Sequence, residues 1–193
     1  MDPFFGRPPP TWRINSETGY ADFVTSPRDL FYHDLPAEEA EFRVSQLAPQ
    51  SLKALFEGGE FTYAGWMDVP SWYIGTIEDH GLPVAMQRMS VGMARGMGAS
   101  VEHRELQTSH SPFLSKPEET VQIMLEAVEA FTGKSVEDAV MERGRTDIQM
   151  ALPEVRPWQP LTWFKFGLPL FFGRIMGKGV LMFSWGRRLL GFR

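Results

Sequence analysis

The fold is decided by one stretch in the second half of the chain, Thr108-Ser109-His110-Ser111-Pro112-Phe113-Leu114-Ser115-Lys116-Pro117-Glu118-Glu119. It places His110 in a short polar turn. Residues 99–107, before the turn, predict a strand. After the turn, Ser115 and Glu118 have the S-x-x-E spacing of a helix capping box. The stretch therefore predicts a strand, a histidine-bearing turn and a helix.

The residues upstream of this stretch repeat the same order. Residues 69–77 are rich in β-branched and aromatic side chains and predict a strand, which runs into the acidic turn Glu78-Asp79-His80-Gly81. Residues 83–98 predict a helix. A strand, helix, strand, helix order implies a parallel sheet. Asp79 and His110 each follow a strand, and functional groups gather at that end of parallel strands.

The helix predicted at residues 83–98 carries a methionine every three or four residues. These are Met86, Met89, Met93 and Met97. Such a stripe is either a pliable ligand-binding surface or a packing face, and at helical spacing we favour packing against the sheet.

The pair Asp79 and His110 suggests acid–base chemistry. A carboxylate holds an imidazole in one tautomer, and the imidazole then takes a proton from a nucleophile and returns it to a leaving group. Asp79 alone could instead cap its own turn, and Glu78 is the alternative acid. His110 could be a hydrogen-bonded turn residue without chemistry. The other histidines, His33, His80 and His103, are expected on the surface or in packing.

The chain also resembles a known family between about residues 28 and 131. It is similar to the C-terminal half of α/β-hydrolase-fold proteins, in the branch of plant methylesterases and hydroxynitrile lyases and their fungal relatives. The residues that carry the resemblance are Asp29-Leu30-Phe31-Tyr32-His33-Asp34-Leu35, Pro49-Gln50-Ser51, Pro70-Ser71-Trp72-Tyr73-Ile74, Glu78-Asp79 with Leu82-Pro83, and the stretch from Ser109 to Pro117.

The resemblance implies a function as well as a fold. It implies that Asp79 is the acid and His110 the base of a catalytic triad. It also implies a small ester or carbonyl substrate and a role in a fungal secondary-metabolite pathway. An esterase, lyase or cyclase relative is what we expect on this basis.

The sequence departs from that family at the nucleophile. No G-x-S-x-G elbow occurs in the 193 residues, and His80-Gly81 lies in the wrong place for the family's oxyanion-hole H-G. The candidate hydroxyls, on Ser51, Ser109, Ser111 and Ser115, have no elbow around them. We expect either a family member without its first half or a gene model that starts late. The alternative function is that of a non-catalytic, truncated pseudo-hydrolase that binds a partner or a membrane.

Composition excludes several classes of site. The chain has no cysteine, and its four histidines do not fall at metal-ligand spacings, so we expect no metal and no cofactor. The net charge is −5, and residues 161–193 contribute +6, which leaves −11 on the rest. An acidic body does not favour nucleic acid. Without a signal peptide at the N-terminus, we expect a cytoplasmic or peripheral membrane protein.

The expected fold class is α/β, a partial α/β-hydrolase fold with cap-like helices, a small parallel sheet remnant and a helical C-terminal extension. Residues 27–60 predict two short helices, one after Pro36 and one after Pro49. The expected segments are an irregular lead-in at 1–26, a cap-like helical segment at 27–66, the C-terminal half of the hydrolase domain at 67–133, a helix and proline-rich linker at 134–160, and a basic, aromatic, amphipathic tail at 161–193.

The tail and the sheet edge are the two candidate interaction surfaces. Residues 161–193 contain no uninterrupted apolar run of the ~18 residues expected of a membrane span. Their aromatic and basic side chains suit a segment lying on an anionic membrane. The tail could instead pack over the half-sheet or onto a partner, or be an unevolved extension. Two strands leave the edge near Trp72 to Ile74 unpaired, which is a surface for a protein partner.

Overall fold

A computed structural model describes residues 11–51, 64–133, 150–151, 153–156 and 158–189. Its centre is a small sheet of three strands, with β4 at Ser71–Thr76, β5 at Val101–Leu106 and β6 at Met150–Ala151. The spatial order is β4-β5-β6. β4 and β5 run parallel and pair from Ser71 with Val101 to Thr76 with Leu106, which confirms both predicted strands and their direction. β6 adds antiparallel to the other side of β5.

The two long helices of this unit cover opposite faces of the sheet. α3 spans Val84–Gly96 and α5 spans Pro117–Thr132, close to the predicted helices. Arg88 on α3 pairs with Glu105 on β5, whereas the neighbouring strand residue Arg104 reaches Glu126 on α5. Because successive strand residues point to opposite faces, the two helices lie on the two sides of the sheet.

The start of α5 differs from the prediction. The capping box is wrong, because Lys116 is the N-cap residue and makes no side-chain cap bond. The hydroxyl of Ser115 instead contacts Thr108, and Pro112–Ser115 forms a separate short helix, α4. At the other end Gly133 closes α5 with φ 67, a left-handed conformation that glycine adopts at low cost.

The apolar face of α5 is largely exposed. Ile123 is buried, and the exposed apolar side chains are Val121, Met124, Val128 and Phe131. Their spacing places them on one stripe of the helix. The α5 stripe is therefore an apolar surface that the described part of the chain leaves open.

The lead-in before the sheet was predicted to be irregular, but its described part contains two strands. β1 at Trp12–Asn15 and β2 at Tyr20–Phe23 form an antiparallel hairpin, and β3 at Gln50–Ser51 pairs with β2. Gly19 has φ 73, as a tight hairpin turn requires. The lead-in and the cap-like segment therefore share a small sheet, with two strands from the former and one from the latter.

Two helices follow the hairpin. α1 spans Pro27–Phe31, and α2 spans Ala37–Ser45 with Pro36 as its N-cap, which confirms the helix predicted after Pro36. The helix predicted after Pro49 falls mainly on residues outside the described ranges, as does the helix predicted from Ser135.

The chain ends in a long helix, here called the C-terminal helix. It begins with Pro160–Thr162, passes through a π-helical turn at Trp163–Gly167 and continues as Leu168–Leu189. Within the described residues, Pro160–Gly186 is the one helix long and apolar enough to cross a membrane, by length and composition alone. This helix has no uninterrupted apolar run of that length, because single basic residues and glycines divide a stretch that is apolar on average.

The C-terminal helix packs on α3 with almost no space between the backbones. A Cβ added at Gly173 would lie 2.1 Å from the carbonyl oxygen of Met89, and one at Gly177 would lie 2.2 Å from that of Met93. Conversely, Cβ atoms at Gly92 and Gly96 would meet the backbone of the C-terminal helix at 2.3 and 2.5 Å. The methionine-bearing face of α3 therefore packs on this helix, and its predicted packing on the sheet is wrong.

Candidate active site

The two residues proposed from the sequence lie together at one end of the sheet. Asp79 follows β4 and His110 follows β5, and the parallel pairing brings the two turns side by side. His110 Nδ1 is 2.9 Å from Asp79 Oδ2, although the residues are 31 positions apart in the chain. A carboxylate at this distance accepts a hydrogen bond from Nδ1–H, which leaves the lone pair of a neutral imidazole on Nε2.

The two carboxylate oxygens of Asp79 accept hydrogen bonds from different groups. Oδ1 accepts the backbone N–H groups of Gly81 and Leu82, both at 2.8 Å. Oδ2 accepts the Thr76 hydroxyl at 2.8 Å in addition to His110. The turn-capping role and the histidine-orienting role are therefore filled together, one by each oxygen.

Asp79 is held in its ionised form. Only 7% of the residue is exposed, and this burial raises the pKa of its carboxyl. The hydrogen bonds from His110, the Leu82 N–H and Thr76 outweigh burial, so that the pKa lies below its usual value. At neutral pH the group beside the imidazole is an anion, as required to stabilise an imidazolium.

Gln87 is a positioning residue that the sequence did not single out. Its Nε2 donates to Asp79 Oδ2 at 3.2 Å and to the carbonyl of Leu82 at 2.7 Å. Its Oε1 accepts the N–H of Thr76 at 3.0 Å, and Nε2 also lies 3.1 Å from the Thr76 carbonyl. The buried Gln87 amide thus hydrogen-bonds both the last residue of β4 and the Asp79 carboxylate. The one sequence signal was a polar residue within the methionine-rich helix.

A second carboxylate, Asp34, fixes the backbone of the histidine turn. Its Oδ2 accepts the Thr108 hydroxyl and the Ser109 N–H, both at 2.8 Å, and its other oxygen accepts the Ser109 hydroxyl. Burial raises the pKa of Asp34, but the bonds from Ser109 and Thr108 prevail and the pKa is lowered. Asp34 is among the residues that resemble the family. Its contact with a turn 74 positions away could not be predicted from the local sequence.

The imidazole of His110 is open on one side. The ring of Phe31 lies 5.0 Å away between ring centres, and a Cβ at Gly81 would lie 3.5 Å from Nδ1. The side chain is nevertheless 43% exposed, and no described residue hydrogen-bonds to Nε2. A reactant can therefore reach the nitrogen that faces away from Asp79.

The alternative acid and the other histidines have structural positions. Glu78 is exposed and accepts a bond from Gln107, not from His110. His33 stacks on His80 with ring centres 4.1 Å apart, and each binds a backbone carbonyl across the boundary between cap and sheet. His103 is buried, and burial lowers its pKa to about 4, so that it is neutral at physiological pH.

The predicted hydroxyl candidates near the turn are engaged in structure. Ser109 is fully buried and donates to Asp34, while Ser115 contacts Thr108. We assign neither as a nucleophile. Among the described residues, no group of three or more histidine, cysteine or acidic side chains is placed to hold a metal ion.

A buried arginine, Arg88, links the site's helix both to the sheet and to the C-terminal helix. Arg88, the residue after Gln87, binds both oxygens of Glu105 at 2.7 and 2.8 Å. Its remaining nitrogen, Nη1, donates to the carbonyl oxygen of Lys165 at 2.8 Å, and its guanidinium lies 4.6 Å from the ring centre of Phe166. Lys165 lies within the π-helical turn, so Arg88 binds a backbone carbonyl of that turn.

Comparison with known proteins agrees with this architecture. The model of a family described as the alpha/beta hydrolase family matches residues 1–123, well over half of the chain. The chain therefore belongs to the alpha/beta hydrolase family. The match begins at residue 1, so the lead-in lies within the family region, which the sequence resemblance had started near residue 28. No curated protein and no solved structure matches the chain.

Proposed function

We propose that Asp79 and His110 are the acid–base pair of a hydrolase-type active site acting on a small ester or related carbonyl compound. The observation that supports this most is the 2.9 Å contact between Asp79 Oδ2 and His110 Nδ1, with Nε2 facing outward. Family membership supports the class of reaction.

The chemistry follows from the orientation of the imidazole. Nε2 takes a proton from the attacking or eliminating group, and the imidazolium is stabilised by the Asp79 anion. The proton then returns from Nε2 to the leaving group. The donor is water, the substrate itself, or a serine hydroxyl supplied from outside the described residues. Proton transfer and elimination need only this pair, whereas ester hydrolysis through an acyl-enzyme also needs the serine.

The branch of the family, the biological role and the location in the cell are also part of our proposal. The residues that carry the resemblance favour the branch of methylesterases and hydroxynitrile lyases and its fungal relatives, with a role in secondary metabolism. We propose a cytoplasmic protein, in contact with a membrane surface.

The test is turnover of aryl esters by the purified 193-residue chain. We expect hydrolysis that His110→Ala reduces by about 10³-fold or more. Glu38→Ala, at an exposed position of α2, is the matched control and should retain the wild-type rate. Equal rates in wild type and His110→Ala would reject His110 as the base.

A second candidate function is non-catalytic binding through the edge of β4. The N–H groups of Ser71 and Ile77 donate toward β5, so by strand alternation those of Trp72, Ile74 and Thr76 point outward. The N–H of Thr76 donates to the Gln87 amide oxygen, and no described strand pairs with the N–H groups of Trp72 and Ile74. Such an edge, with the exposed α5 stripe, suits a protein partner.

Amide exchange separates the two candidates. If the purified chain has no turnover and the Trp72 and Ile74 amides exchange slowly at high protein concentration, the binding function is favoured. Turnover that depends on His110 together with fast exchange at both amides favours the enzyme.

A further inference from the structure

The C-terminal helix has two opposite faces with different properties. Gly173 and Gly177 face α3 and are buried. Residues at positions i, i+3, i+7 and i+14 on the opposite side form an exposed apolar stripe. The outer stripe consists of Leu168, Phe171, Ile175 and Met182, which are between 42% and 73% exposed. An apolar stripe of this length pointing away from the folded body is unusual for a protein surface in water.

All charged residues of the C-terminal helix are basic. Residues 161–193 contain six basic residues and no acidic one, while the rest of the chain is strongly acidic. Arg174 and Lys178 are exposed and lie beside the outer stripe, as the helical repeat requires. Apolar and aromatic side chains flanked by basic ones match the surface of a bilayer that contains anionic lipid.

The helix is attached to the folded body along its side. Arg88 binds the carbonyl of Lys165 near one end, and the glycine contacts with α3 continue through Gly173 to Gly177. Because α3 is itself fixed to the sheet by the Arg88–Glu105 pair, this part of the helix cannot enter a bilayer vertically without taking charged, hydrogen-bonded parts of the body with it.

We propose that the C-terminal helix lies in the plane of an anionic membrane surface, with the outer stripe in the lipid and the folded body on the side facing water. The contact with α3 takes the place of the polar face that an isolated interfacial helix presents to water. The helix satisfies the length of a membrane span, but its side-on attachment assigns it to the interface. This proposal is independent of the chemistry at His110.

The first test is binding of the full chain to vesicles of phosphatidylcholine with and without about 30% phosphatidylserine. We expect binding that requires the anionic lipid. Arg174→Gln/Lys178→Gln should weaken the partition coefficient about 30-fold, since each basic residue near the surface supplies roughly a fivefold step. Arg13→Gln, an exposed arginine in β1, is the matched control and should bind as wild type.

The apolar contribution is tested separately. Phe171→Ser/Ile175→Ser changes two exposed positions that do not face α3, and circular dichroism should show an unchanged fold. We expect this variant to lose vesicle binding even with anionic lipid. If binding is retained at the wild-type level, the outer stripe is not the lipid contact and the proposal fails.

Depth measurements separate a helix in the plane from one that crosses. The chain has no cysteine, so Phe171→Cys and Met182→Cys each carry one fluorophore at a single site. The two positions are about 16 Å apart along the helix axis. A helix in the plane places both labels at the same depth by lipid-attached quenchers. Different depths, with Phe171 near the bilayer centre, would overturn the proposal in favour of a span.

The remaining outcomes also decide the proposal. Failure to bind either kind of vesicle contradicts it. Self-association in sedimentation experiments that the Phe171→Ser/Ile175→Ser variant abolishes, with no lipid binding, assigns the outer stripe to a second copy of the chain and also contradicts it.

Discussion

The two sides of α3 hold different parts of the protein by different physical means. On the side facing the sheet, Gln87 and Arg88 make directed hydrogen bonds to Asp79 and Glu105. On the other side, Gly92 and Gly96 allow the backbone of the C-terminal helix to approach. The first contact depends on charge and donor geometry. The second depends on the absence of side chains.

This difference determines what each contact can tolerate. A hydrogen-bonded carboxylate fails when its charge or a donor is removed, even if the shape is kept. A contact between glycines fails when one methyl group is added, even if the polarity is kept. The largest expected effect is on catalysis at the first contact, and the smaller effects are on stability.

Asp79→Asn should reduce turnover by about 10³- to 10⁴-fold with little change in KM, because the imidazole loses the anion that orients it and stabilises its protonated form. Glu78→Gln, one residue earlier and exposed, should change the rate by less than about threefold, since surface charges interact weakly. Steady-state kinetics of both variants with an aryl ester is the measurement. Equal losses of turnover in the two variants would contradict the assignment of Asp79, and not Glu78, as the acid beside His110.

Arg88→Met should destabilise the protein by about 3–5 kcal/mol, because Glu105 would remain fully buried without its partner. Urea unfolding measures the change. The double variant Arg88→Met/Glu105→Leu should recover most of the loss, since it removes both charges. If the single variant is as stable as wild type, the pair does not hold α3 and the C-terminal helix to the sheet.

Gly173→Ala should destabilise the protein by about 1–3 kcal/mol, because the new methyl group would lie 2.1 Å from the Met89 carbonyl oxygen. Gly179→Ala lies on the same helix with nothing within 4 Å of its Cβ, and should be neutral or stabilise by up to about 1 kcal/mol. The urea midpoints of the two variants are compared. The same midpoint for both would show that the close approach to α3 is absent in solution.

Asp34→Asn should destabilise the protein by about 1–2 kcal/mol at pH 7, because the amide cannot replace all the bonds to Thr108 and Ser109. The folded-state pKa of Asp34 is lowered, so its contribution is fully present above the unfolded pKa of about 3.9 and is lost as the pH falls through the folded value. The difference between wild type and variant should therefore shrink in urea titrations between about pH 5 and pH 2. A difference that grows on acidification would contradict the lowered pKa.

Local sequence patterns predicted the elements that carry the site. β-branched and aromatic residues located β4, residues 99–107 predicted β5, and helices were expected where α3 and α5 lie. The predicted order of strands and helices placed Asp79 and His110 at the same end of the sheet. These features depend on neighbours in the chain, which is why they are readable from the sequence.

The errors concern contacts between distant segments. The methionine face of α3 was predicted to pack on the sheet, but glycines 84 positions later in the chain offer a closer packing surface. Ser115 satisfies the spacing of a capping box but contacts Thr108 in the folded chain. Asp34 and Gln87 acquire their roles only when the cap and sheet meet. No local pattern reports such pairings.

In the proposed site, Asp79 orients His110 so that Nε2 is free to act as a base. The most direct test is a two-dimensional nitrogen–proton spectrum of the histidine side chains at a pH where His110 is neutral. We predict that His110 carries its proton on Nδ1 and that Asp79→Ala removes this preference. A proton on Nε2 in the wild-type protein, unchanged by Asp79→Ala, would contradict it.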